Sequence, residues 1–216
     1  MNTALSHFNT HPYQAEEAQT AYVLGFLEYA LEKHHSYAGR KQALRQKFLD
    51  VGIGTGERPA LFRDTHPDWD LYGLDGAPEN LDRCKANRIP EKNLTLIDLE
   101  KEQFPFDFNT FDLVVSIDTL NYLQNACQVI EEMIKVAKPF TPIVLSLVTH
   151  SGVGTLLCPA RTPVQNPDLH WYIPPAQDFK TIFNHTSAAI VEDFAFKKQH
   201  KNTALTTHLY CLEKSV

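Results

Sequence analysis

The chain reads as an α/β domain, a mainly parallel sheet with helices on both faces. Three observations predict this. Helix and strand signals alternate from about residue 47 onward, as they do where crossover helices join parallel strands. Leu113, Val114 and Val115 form a continuous apolar run, which suits a strand buried on both faces. Between an apolar run and a helix stands the turn Gly52-Ile53-Gly54-Thr55-Gly56, at the edge where such sheets bind ligands.

The elements follow in order. Val23, Leu27 and Leu31 recur at helical spacing within Ala15 to His35, with Glu16 and Glu17 in the first turn and His34 and His35 in the last, as the helix dipole favours. Gly39 is expected to end this region. Phe48–Val51 is a strand that runs into the glycine turn, and Arg58 to about Thr65 is a short helix with Pro59 tolerated in its first turn. Strands are expected at Leu71–Leu74, Leu94–Ile97, Phe111–Ile117 and Ile143–Val148. Helices are expected at Pro78–Asn87, Cys127–Lys138 and Asp178–Asn184. Ile190–Phe196 and Leu205–Leu212 read as two late strands joined by a polar turn at His200–Thr203.

Composition bounds the function. The 216 residues are 43% apolar and 21% charged, ordinary for one globular domain. Twenty Lys and Arg against 26 Asp and Glu give a net charge of −6, which disfavours holding nucleic acid by bulk electrostatics. No run approaches the roughly 18 apolar residues of a membrane span. The polar stretch Met1 to Gln14 lacks both a basic and an apolar region, so no signal peptide is expected. Cys84, Cys127, Cys158 and Cys211 are scattered, which points to reduced thiols in a cytoplasmic protein and to no metal site.

The glycine turn carries the chemistry. Its helix would offer N–H groups to a negative ligand. A dinucleotide fingerprint would need a third glycine at position 57, where this chain has Glu57. The next strand ends in Asp75, 19 residues past Gly56, followed by Gly76, and the third strand is followed by Asp98. An acid at the tip of the second strand suits both hydroxyls of a ribose. Asp98 is placed to accept from an adenine amine. Each acid has a plainer alternative as a turn or capping residue.

Four segments resemble the class I S-adenosylmethionine-dependent methyltransferases, in order and in register. They are FLDVGIGTGE, LYGLDGAPENLDRC, LTLIDLEKEQFPFDFNTFDLVVSIDTLNYL and IEEMIKVAKPFTPIVLSL, spanning about Lys47 to Val148. The small-molecule branch typified by quinone and biotin biosynthesis methyltransferases is the most similar. The resemblance implies a Rossmann-like, seven-stranded sheet in the order 3-2-1-4-5-7-6 with strand seven antiparallel and helices on both faces. It also implies S-adenosyl-L-methionine as cofactor. Asp50, Gly52, Gly54, Thr55 and Gly56 would then surround its methionine part, with Ser116 and Ile117 beneath. Asp75 and Gly76 would meet the ribose, Asp98 the adenine amine and the Leu99 backbone the adenine ring. Pro139-Phe140-Thr141-Pro142 departs from the Pro-Gly-Gly common in the family.

His150 to Pro175 contains five prolines and only two charged residues, Arg161 and Asp168. It reads as a long irregular connection, and such connections are often functional. As a single domain, 1–216 would divide into an N-terminal helical cap (1–46), a cofactor-binding core (47–148), a substrate lid (149–177) and a C-terminal helix and hairpin (178–216). The acceptor would be a small molecule, methylated at O, N or C. If a base serves the reaction, the candidates are His170, His150, Tyr172 and Asp118, in that order. Trp171 stands beside them, either facing the acceptor or packing the loop. Two other readings stay open: a non-catalytic cofactor-binding subunit or sensor, and a nicotinamide-dependent reductase.

Overall fold

A computed structural model describes residues 17–38, 45–159, 170–183, 186–200 and 203–215. Helix α1 spans Glu17–Ala38, and strand β1, Gln46–Val51, leads into the glycine turn. There follow α2 (Glu57–Thr65), β2 (Trp69–Asp75), α3 (Pro78–Ala86), β3 (Leu94–Leu96) and β4 (Leu113–Ser116). Then come α4 (Ala126–Val136), β5 (Pro142–His150), β6 (Leu156–Pro159) and β7 (His170–Ile173). Helix α5 (Ala176–Ile182) and strands β8 (Ala188–His200) and β9 (Thr203–Lys214) complete the chain.

The main sheet has the order β3-β2-β1-β4-β5-β9-β8. Its first five strands run parallel, and β9 is antiparallel to both β5 and β8. This is the expected seven-stranded order, with β8 and β9 as the sixth and seventh strands. Successive side chains of a strand point to opposite faces, and the core divides accordingly. Phe48 packs with Val23, Leu27 and Leu31 of α1, Phe62 of α2 and Leu81 of α3. Leu49 and Val51 pack on the other face with Val129, Ile130 and Met133 of α4 and Phe179 of α5. Because both faces are covered, the C-terminal edge of the parallel strands is left to form a site.

The long connection after β5 corrects one expectation. It is not irregular throughout: β6 and β7 form a separate two-stranded antiparallel sheet, with Leu156 opposite Ile173 and Pro159 opposite His170. An antiparallel pair needs only a local partner, and Pro159 is tolerated because it stands at the end of its strand. Arg161 and Asp168 lie outside the described residues, as do Met1 to Gln14 and Gly39. The two late strands are longer than their apolar runs suggested, because polar residues continue the β8–β9 ladder.

Candidate active site

The site forms where β1 to β4 end. Gly52, Gly54 and Gly56 all have positive φ, at 77°, 57° and 76°, a region that costs other residues strain. Close packing adds a second constraint. A Cβ at Gly52 would sit 2.2 Å from Thr119 Oγ1, and one at Gly56 would sit 2.8 Å from Cys84 Sγ. The turn therefore lies tight against the segment after β4 on one side and α3 on the other.

Asp75 ties this turn together. Its Oδ2 accepts the Gly54 N–H at 2.8 Å, and its Oδ1 accepts the Ala77 N–H at 2.8 Å and Asn80 Nδ2 at 3.1 Å. Burial raises its pKa, while these hydrogen bonds pull it down. The Gly52 and Ile53 N–H groups donate to Leu74 O, and Gly56 N–H donates to Ile53 O. The turn thus spends these donors internally, against the expectation that they would await a negative ligand.

A cleft opens here. Of the sequence-predicted residues, Gly52, Gly54, Asp75, Gly76, Asp98, Leu99, Ile117 and Asp118 line it. Asp98 is steadied by Lys101 Nζ at 2.6 Å and by the Glu100 N–H at 3.1 Å. Asn80 also lines the cleft, 3% exposed, and its Oδ1 is buried without a hydrogen-bond partner among the described residues. The Nδ2 bond to Asp75 fixes that amide's orientation. The wall thus carries an acceptor lacking a donor beside a carboxylate, which suits a ligand with neighbouring hydroxyls. Ile97, Leu99 and Leu123 give the cleft apolar walls, suited to a planar base.

Other expected residues are placed elsewhere. Ser116 is fully buried and donates from its hydroxyl to Val51 O at 2.9 Å, linking β4 to β1. Asp50, Thr55 and Gly56 stand behind the lining rather than in it. Asp50 is buried, and burial lifts its pKa to about 7; the positive charge of Arg58 works against the lift and Asp75 adds to it.

The four base candidates separate clearly. His150 is 2% exposed. Its Nδ1 accepts the Gly152 N–H at 2.9 Å, so Nε2 carries the proton and donates to Gly154 O at 2.8 Å. Both nitrogens are used to shape a local loop, and His150 is not in the cleft wall. His170 and Tyr172 lie on β7, half-buried and outside the lining. The Tyr172 hydroxyl accepts from Gln124 Nε2 at 2.9 Å. Only Asp118 lines the cleft. Its Oδ2 accepts from Arg58 Nη2 at 2.6 Å and from Gln19 Nε2 at 2.7 Å, so it is engaged as a counter-ion.

Arg58, Asn80, Thr119, Tyr122 and Leu123 also belong to the wall, with Ile53 and Ala77, and sequence reasoning did not single out the first five. The signal for Arg58 was its place in the first turn of the helix after the glycines, which faces the ligand edge. Trp171 packs edge-to-face on Tyr122, with ring centroids 6.1 Å apart. It backs a cleft residue without lining the cleft itself.

Comparison with known proteins agrees with this geometry. Residues 49–144 match the methyltransferase domain family. A demethylmenaquinone methyltransferase of Shouchella clausii is 32% identical over 125 residues, which cover 53% of this chain and 52% of that protein. A S-adenosylmethionine-dependent methyltransferase of Methanosarcina mazei superposes with a TM-score of 0.63 at 15% identity, over 84% of this chain and 97% of that one. An O-methyltransferase from a polyketide synthase multienzyme of Brevibacillus brevis, in complex with S-adenosyl-L-homocysteine, gives 0.64 at 14% identity, over 95% and 82%.

Residues 49–144 are similar to methyltransferase domains.

The chain spans about half the length of the curated relative from Shouchella. All the cleft-lining residues fall inside the matched segment, residues 49–144. Gln19 of α1 and Trp171 of β7, which brace the wall from behind, lie outside it.

Proposed function

We propose that the protein is a S-adenosylmethionine-dependent methyltransferase acting on a small-molecule acceptor at O, N or C. The observation that carries this reading is the Asp75–Gly54 arrangement. A carboxylate holds the glycine turn and faces the cleft, beside the unpartnered Asn80 Oδ1. That chemistry suits a nucleoside without a diphosphate. It disfavours a dinucleotide, because the Gly52, Ile53, Gly54 and Gly56 N–H groups that a diphosphate would need already donate to Leu74 O, Asp75 and Ile53 O. Glu57 in place of a third glycine argues the same way.

S-adenosylmethionine, when bound, supplies a methyl group on a sulfonium centre. The chain's contribution is position. Asp75 and Asn80 would take the ribose hydroxyls, Asp98 the adenine amine, and Ile97 and Leu99 the faces of the base. Gly52 and Gly54 would let the rest of the cofactor approach the backbone. Ile117 and Tyr122 would exclude water near the transferring group. Alignment of two reactants contributes on the order of 7–11 kcal/mol, so a dedicated base is not required. His150 is spent structurally, which leaves the candidates on β7 to act only if the hairpin approaches the cleft.

The net charge of −6 favours a small acceptor over nucleic acid. Among the described residues, no helix is long and apolar enough to cross a membrane, and a cytoplasmic setting is part of the proposal. Incubation with methyl-labelled S-adenosylmethionine and a metabolite extract tests it. Label is expected in a small-molecule product. Label only in nucleic acid or protein would overturn the acceptor class, and no transfer at all would favour a non-catalytic binding role.

A further inference from the structure

The cleft is unequal in charge along its length. Asp75 and Asp98 stand at the tips of β2 and β3, where the nucleoside would lie. Past β4, the wall is made of Asp118, Thr119, Tyr122 and Leu123, faced by Arg58 from the first turn of α2. Arg58 is the one Lys or Arg among the described lining residues. Its side chain is 13% exposed and is paired with Asp118 at 2.6 Å.

Asp118 is held from several directions. Its φ is 59°, left-handed for a residue other than glycine, and its N–H donates to Ser146 Oγ at 2.7 Å. The oxygen that takes Arg58 also accepts from Gln19. A strained backbone that delivers a carboxylate into a cleft points to a ligand-handling role. Beside the pair lies Tyr122, 8% exposed, its phenol kept protonated by burial and its ring braced by Trp171.

We propose that Arg58 receives a carboxylate carried by the methyl acceptor, with the acceptor's unsaturated body lying along Tyr122. The proposal rests on the methyltransferase reading. Without acceptor, Asp118 holds the place of that carboxylate. The exchange is favourable because a guanidinium takes an incoming carboxylate as a planar, two-pronged partner, while Asp118 keeps Gln19. Arg58 stays in place throughout, so buried Asp50 does not lose its neighbouring cation. Asp75 and Asp98 repel an anion from the nucleoside end, which leaves Arg58 as its destination.

The test uses the full chain saturated with S-adenosylhomocysteine and titrated calorimetrically with 4-hydroxybenzoate and with 4-hydroxybenzamide. The two probes share a ring and differ in charge. The acid should bind at least roughly tenfold more tightly, the worth of one charge-assisted hydrogen bond. Arg58→Gln should abolish that preference, and its urea unfolding transition reports that the variant is folded. Arg58→Lys should keep part of the preference.

Equal binding of the two probes to the wild type overturns the proposal, whatever the variants do. So does a folded Arg58→Gln variant that still prefers the acid, whatever its affinity for S-adenosylhomocysteine. If S-adenosylhomocysteine does not bind the wild type, the methyltransferase reading falls and the proposal with it. If it binds and the probes do not differ, only the assignment of Arg58 falls.

Discussion

At the scale of single residues, Asp75 joins structure and binding in one carboxylate. It accepts three hydrogen bonds that fix Gly54, Ala77 and Asn80, and it faces the cleft. Asp75→Ala should therefore lower stability by about 2 kcal/mol and weaken S-adenosylhomocysteine at least roughly tenfold, as read by urea unfolding and calorimetry. Asp98→Ala should cost less on both counts, since Asp98 is bound to exposed Lys101 rather than to the turn. Asp50 makes a pH prediction. Its folded pKa of about 7 lies above the ordinary 3.8. Between those values only the folded state holds the proton, so stability should fall as pH rises from about 4 to about 7 and level off above. Asp50→Asn should flatten that slope in urea titrations at fixed pH steps; an unchanged slope would show that Asp50 does not titrate there. Asp75, Asp98 and the glycines could be found from spacing alone. Arg58 could not be tied to Asp118, nor His150 to Gly152 and Gly154, because those partnerships depend on loop conformation that no local pattern encodes.

At the scale of elements, Asn121 fastens the β6–β7 pair to β5. Asn121 Nδ2 donates to Val148 O and to Tyr172 O, both at 3.0 Å, and its Oδ1 accepts the Val148 N–H at 2.8 Å. Asn121→Ala strands these backbone groups. It should destabilise the protein by about 1–3 kcal/mol and raise hydrogen exchange in His170–Ile173 selectively. Unchanged exchange there would mean that the bridge between His150 and Pro175 suffices. Gly52→Ala adds left-handed strain to a clash with Thr119, and should impair cofactor binding even where the fold survives. The regular elements were legible because each buries an apolar face of the expected period: Val23, Leu27 and Leu31 in α1, and Val129, Ile130 and Met133 in α4. The hairpin was not legible. Its strands are four residues each, too short for alternation to register, and prolines mask the pattern.

At the scale of the whole molecule, the sheet separates two cores and leaves its C-terminal edge to bind ligand. Every lining residue comes from a strand tip, from the loop after one, or from the first turn of a helix that follows. Ligand binding should therefore stabilise the entire cooperative unit, since β1 to β4 converge there. At about a hundred times its dissociation constant a ligand adds about 2.7 kcal/mol, equivalent to a melting shift of roughly 5–10 °C for a chain of this size. The central claim is that this cleft is built for an adenosine-containing sulfonium cofactor and not for a dinucleotide. Isothermal titration of the full chain with S-adenosylhomocysteine and, separately, with NAD tests it most directly. S-adenosylhomocysteine should bind one to one, Asp75→Ala should weaken it at least roughly tenfold, and NAD should give no saturable heat. Tight NAD binding with no response to S-adenosylhomocysteine would contradict the account.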